Sequence, residues 1–163
     1  MDNSFKIGGT FEVQCYDADG NLKWSDVAKN LVTNVGLNHI LDVVLHGTTA
    51  VSPWYVGLKN TGTPAAADTS ASHATWTENS NYTGSRQEYV EAAASSQSTT
   101  NSASKASFSI NTDSQTIAGA FLDSDATGTA GTLLCVADFT GGDKACDNGD
   151  TLEVTYTISA ADA

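Results

Sequence analysis

Side chains able to do nucleophilic or metal chemistry are few in this chain and widely spaced. Cys15, Cys135 and Cys146 are an odd number at separations that fit neither a disulfide framework nor the paired C-x-x-C knuckles of a zinc site. Cys15 and Cys135 each stand in an alternating apolar run and read as small core residues, while Cys146 lies in a polar turn and reads as a candidate exposed thiol. Asp17 and Asp19 stand two apart like the opening of a calcium loop. However, Gly20 comes two positions too early for an EF-hand, and no bidentate Glu closes the segment. His39, His46 and His73 have no nucleophile beside them in sequence. There is no G-x-S-x-G elbow and no G-x-x-x-x-G-K loop to cradle phosphate. Two carboxylates suited to glycoside hydrolysis could converge only in the fold, and in so acidic a chain any chosen pair reads as solvated charge. Asn81-Tyr82-Thr83 matches a glycosylation sequon but follows no secretory signal. No catalytic, cofactor-binding or metal residue is therefore assigned; the expectation is a protein that binds and assembles, and is not an enzyme.

The bulk properties agree. A chain of 163 residues suits a single domain, 1–163, and a domain of that size buries roughly 70% of the surface its unfolded chain exposes, enough for a core without disulfides. Nineteen acidic against seven basic residues give a formal charge of −12, which repels nucleic acid and anionic lipid. No apolar run approaches the ~20 residues of a membrane span, and the opening MDNSFKIGG lacks the features of a signal peptide. The expected partners therefore include neither nucleic acid nor membrane, and synthesis is expected in a cytoplasm.

The elements follow from periodicity. Phe11, Val13 and Cys15 alternate with Glu12, Gln14 and Tyr16, the period of a half-buried strand, and Asp17 to Asn21 reads as a tight hairpin turn into Leu22-Lys23-Trp24. Leu37, Ile40, Leu41, Val44 and Leu45 recur at helical spacing, with Asn34 as the expected N-cap and Gly47 after the last turn. This single short helix, near residues 35–46, is expected to lay its apolar stripe on a sheet, with His39 and His46 in solvated or capping roles. Trp54 to Leu58 is a strand by composition and opens onto a long irregular stretch, Asn60 to Ser85. His73, Trp76, Tyr82 and Arg86 make that loop too rich for a passive linker. It reads either as an interface or ligand-contact loop built on those four residues, or as a loop pinned to its own domain by Trp76 and Tyr82. The polar stretch at about 92–105 lacks large apolar groups and should form an exposed connection or a long edge. Further runs at Ala106–Ile110, Ile117–Leu122, Leu133–Phe139 and Leu152–Ile158 bring the count to about eight strands. The fold class is mostly β, an antiparallel β-sandwich, with jelly roll as the preferred topology; no residue dictates the connection order.

A family pattern rests on particular residues in order. NLVTNVGLNHIL from Asn30 is followed by WYVGL from Trp54, HATWTE from His73, then Tyr82 and Arg86, IAGAFL from Ile117 and GDTLEVTYT from Gly149. Over nearly the whole chain this series resembles small virion structural proteins of tailed bacteriophages, a group that includes capsid decoration (cement) proteins and short head- or tail-fibre components. For cement proteins the resemblance implies a cofactor-free β-sandwich or jelly roll that assembles as a homotrimer. It would sit on the outer capsid surface over capsomer junctions, with the major capsid protein as partner. The alternative is a head- or tail-fibre binding domain that touches the host surface, where carbohydrate is the expected contact. Gly57, Trp76, Gly119 and Gly149 read as structural positions within the pattern.

Overall fold

The computed structural model describes residues 5–162. In chain order the elements are β1 (Phe5–Tyr16), β2 (Leu22–Lys29), β3 (Leu31–Val32), α1 (Asn34–Leu41) continued by a π-helical turn (Asp42–His46), β4 (Trp54–Lys59), β5 (Glu78–Asn79), β6 (Gln87–Tyr89), β7 (Ser98–Thr100), β8 (Ala106–Ser109), β9 (Gln115–Ile117), β10 (Gly119–Asp123), β11 (Leu133–Asp138), β12 (Lys144–Cys146) and β13 (Thr151–Asp162). Among the described residues thirteen strand segments stand where periodicity suggested about eight, because segments of two or three residues are too short to display a period.

Two antiparallel sheets face one another. The first runs β2-β1-β13-β7, with β8 also paired to β13; the second runs β3-β11-β10-β4-β5, with β6 also paired to β4; β9 and β12 form a separate ribbon. The fold is thus mostly antiparallel β in the sandwich class. Hairpins β1–β2 and β10–β11 stay within their own sheets. β1 and β13 are in register from Phe5↔Asp162 to Tyr16↔Thr151, and their inward residues Phe11, Val13, Cys15, Leu152, Val154 and Tyr156 pack against Val56, Leu58, Ala120, Leu122, Cys135 and Ala137 of the second sheet. The Phe11 and Tyr156 rings stack at 4.2 Å, and the Tyr156 hydroxyl accepts from Asn30 Nδ2 at 2.8 Å while the Cys135 thiol donates to it at 3.3 Å. Asn30 sits where the chain leaves the first sheet for the second, and its Oδ1 accepts from Gly9 N at 2.6 Å.

The polar stretch at 92–105 becomes the outer edge of the first sheet. β7 and β8 pair in succession with the same side of β13, and Asn101 fills the break between them. Its Oδ1 accepts from Tyr156 N at 2.7 Å and its Nδ2 donates to Val154 O at 3.1 Å. A buried amide side chain thereby satisfies backbone groups that the interrupted ladder would leave unpaired.

The helix departs from its expected setting in two respects. Thr33, not Asn34, is the N-cap: its Oγ1 accepts from Gly36 N at 3.0 Å and donates to Leu133 O at 2.5 Å. Gly47, in the left-handed region, does close the last turn. The larger correction concerns the stripe. Gly36 packs directly on β11, where an added Cβ would lie 2.3 Å from Leu134 O, and Ile40 packs on the core. This orientation turns Leu37, Leu41, Val44 and Leu45 outward, not onto a sheet.

Candidate assembly interface

The exposed helix face stands out because the rest of the surface is strongly acidic. Leu37, Leu41, Val44 and Leu45 are 41%, 52%, 72% and 78% exposed, and they follow one another at i, i+4, i+7 and i+8, a continuous stripe of aliphatic surface. Beside them lies a groove of about 220 Å³ lined by Ile40, Val43, Val44, Ala50, Val51 and Trp54, where the His39 ring meets Trp54 edge-on at 5.4 Å. A second groove of about 350 Å³, lined by Ile7, Ala94, Gln97 and Ala160 among others, shares Ile40 and Ile158 with the first. The two form one shelf at the end of the sandwich. Among the described residues neither groove has a Lys, Arg, Asp or Glu in its lining, although nearly one residue in six of the chain is charged (16%). Contiguous apolar surface of this kind is a candidate contact site.

The helix holds this face firmly. Thr33 N donates to Leu134 O at 3.0 Å and Asn34 N to Ala66 O at 2.8 Å, so the first turn is attached to β11 and to the 60–77 loop at once. The stripe could be read from the sequence, but its direction could not. It is set by Gly36, the small residue that lets the helix approach β11 along its other side.

The four residues expected to form an interface lie elsewhere, and three are enclosed by the chain itself. Trp76 is 3% exposed; it lies 5.4 Å from Phe121, and its indole N–H donates to Asp68 Oδ2 at 2.9 Å. His73 stacks on Trp76 at 4.0 Å and is half-buried. Tyr82 is buried edge-on to Phe108 at 4.8 Å, and burial pushes its phenol well above the usual range. Arg86 lies 5.0 Å from the centre of the Phe121 ring and donates two bonds to the Glu78 carboxylate at 2.9 and 2.7 Å. Asp123 Oδ1 is 3.2 Å away. Burial opposes the Arg86 charge, but the Glu78 and Asp123 carboxylates outweigh it and raise its pKa. Of the two readings of the 60–85 loop, this geometry is that of a loop pinned to its own sheet: Trp76, Phe121, Leu133 and Val136 make a second small core on the outer face of β10 and β11.

The thiols are also enclosed. All three cysteines are buried, so Cys146 is not the exposed thiol its polar neighbours suggested; it points inward from β12 and meets Cys15. Burial pushes the Cys135 thiol up to about 11. The Asp17–Asn21 segment is the expected tight turn, with Asp17 Oδ1 accepting from Asp19 N at 3.0 Å and Asn21 N at 2.8 Å.

The two facing antiparallel sheets put the chain in the β-sandwich class. More specifically, residues 31–159 match the family described as Podophage GP4 fiber I protein gp80, and the chain belongs to that family. It is accordingly a phage structural protein, and its place is in the virion. No curated protein matches the chain.

Proposed function

We propose that this chain is a fibre component of a tailed-phage particle and that it assembles with further copies of itself, as a homotrimer, through the apolar shelf around α1. The role is structural, with no chemical step. One observation carries the proposal: an exposed aliphatic stripe beside two grooves with no Lys, Arg, Asp or Glu among their described lining residues, on a chain of net charge −12. Every copy repels every other over most of its surface, so association is least opposed where both partners present the uncharged shelf, and there burial of Leu41, Val44 and Leu45 drives it. An aliphatic shelf suits a protein partner better than a glycan, whose hydroxyls need polar groups to replace their water. Three shelves meeting about one axis would bury all copies of the stripe and leave the acidic surfaces outward. The family match favours a fibre over the cement role that the sequence resemblance put first.

The test is a double substitution, Leu41→Asp with Leu45→Asp. Both side chains are more than half exposed, so the fold should persist by circular dichroism. Light scattering should give a trimer for the unaltered chain and a monomer for the variant. A monomeric unaltered chain at micromolar concentration would overturn self-assembly. Labelling the chain in intact particles separates the two virion roles: few copies confined to the tail support the fibre, whereas many copies spread over the head would restore the cement reading.

A further inference from the structure

Cys15 and Cys146 lie far apart in sequence and side by side in the fold. Their sulfurs and a carboxylate oxygen of Asp150 all lie within 4.8 Å of one another, and all three residues are buried. Cys15 is on the inner face of β1. Cys146 ends β12, which is held to β9 by the three residue pairs Lys144↔Ile117, Ala145↔Thr116 and Cys146↔Gln115 and to β2 by the Trp24 indole N–H donating to Ala145 O at 2.9 Å. The third cysteine stands apart, with its thiol on the Tyr156 hydroxyl.

Two soft ligands and a carboxylate are a metal-ligating set by type, but Asp150 is already committed. Its Oδ2 accepts from Lys23 Nζ at 2.6 Å and from Asp147 N at 2.9 Å, and an ammonium at that distance repels an incoming cation. What remains is a pair of buried thiols side by side, with the Cys15 thiol pointing at Asp150 Oδ2 at 3.8 Å. We propose that Cys15 and Cys146 form a modification site, a dithiol that closes to an intramolecular disulfide when the folded protein meets an oxidised thiol, tying the β9–β12 ribbon to the first sheet.

The exchange balances without further reagents. The Cys146 thiolate attacks one sulfur of oxidised glutathione and releases one glutathione thiolate. Cys15 then gives its proton to the glutathione thiolate released in the first step and attacks the Cys146 sulfur of the mixed disulfide, expelling the second glutathione thiolate. Two protein thiols are oxidised, one glutathione disulfide is reduced to two thiols, and the protons end on the released glutathiones. Contact with Cys146, and after it burial, hold the Cys15 thiol far above its ordinary range. The first step is assigned to Cys146 because it ends the three-residue β12, held to β9 by three residue pairs, whereas Cys15 lies within β1, which is paired on both sides. Joining residues so distant in sequence removes much freedom from the unfolded chain. A particle outside a cell also meets the oxidising conditions in which such bonds persist.

The experiment incubates the purified chain with oxidised glutathione, unfolds it in the presence of iodoacetamide and measures intact mass and peptide map. The unaltered chain should lose two hydrogens and take up one alkyl group, on Cys135, while the Cys135→Ala variant should close the same bond and take up none. Cys15→Ala and Cys146→Ala should retain glutathione or free thiols. Oxidation should raise the melting temperature, and dithiothreitol should reverse the rise. The proposal is overturned if the unaltered chain keeps three alkylatable thiols, stops at a mixed disulfide, or pairs through Cys135. The peptide map of the unaltered chain decides this even if a variant fails to fold.

Discussion

Trp76 makes three contacts at once: the stack with His73, the tilted approach to Phe121, and the indole bond to Asp68. Replacing it by Ala would empty the small core on the outer face of the second sheet and leave the Asp68 carboxylate without its buried donor. Trp76→Ala should therefore cost about 3–5 kcal/mol of stability, read as a shifted urea midpoint, with the oligomeric state of whatever remains folded unchanged. A variant that kept its stability but lost its oligomer would return Trp76 to the role of an interface anchor. The composition of the 60–85 loop already marked it as more than a linker. Which way its aromatic groups turn was not readable, because a Trp seeks apolar surface whether that surface belongs to its own sheet or to a partner. Asn101 went unnoticed for a related reason. In a run of Ser, Thr and Ala its amide has no distinguishing context until the ladder of β13 is seen to be interrupted beside it.

The helix places propensity and packing in direct opposition. Alanine is about 1 kcal/mol better than glycine inside a helix, so intrinsic preference alone predicts that Gly36→Ala stabilises the protein. The packing predicts the reverse, since the new Cβ would lie 2.3 Å from Leu134 O, a backbone atom that cannot swing away. The expected outcome is a lower melting temperature with α1 displaced from β11, and because the shelf moves with the helix, weaker self-association as well. A rise in melting temperature would mean that the helix is held less closely than its contacts indicate. The position and length of the helix were legible from the spacing of its aliphatic residues. Its rotation about its own axis was not, since those residues cover a wider arc than one flat sheet can bury, and a single glycine decides which part of the arc goes down.

Over the whole molecule, charge and shape act against each other. Among the described residues, five of the seven basic side chains, Lys23, Lys59, Arg86, Lys105 and Lys144, are held in ion pairs, so the excess acids dominate the field that neighbouring copies meet. Salt shortens the reach of that field, from a Debye length of about 30 Å at 0.01 M to about 8 Å at 0.15 M. Self-association through an uncharged shelf should therefore tighten as salt is added. Sedimentation at low and moderate ionic strength checks this; weakening with salt would point to an interface built on ion pairs. Class, acidity and the run of long strands were set by the sequence alone, because alternation and net charge are properties of neighbouring residues and of their sum. The shelf, the enclosed aromatic loop and the meeting of Cys15 with Cys146 were decided only in the tertiary structure. Each depends on which of several available apolar surfaces a residue reaches, and that choice is made by contacts between segments that local sequence does not encode.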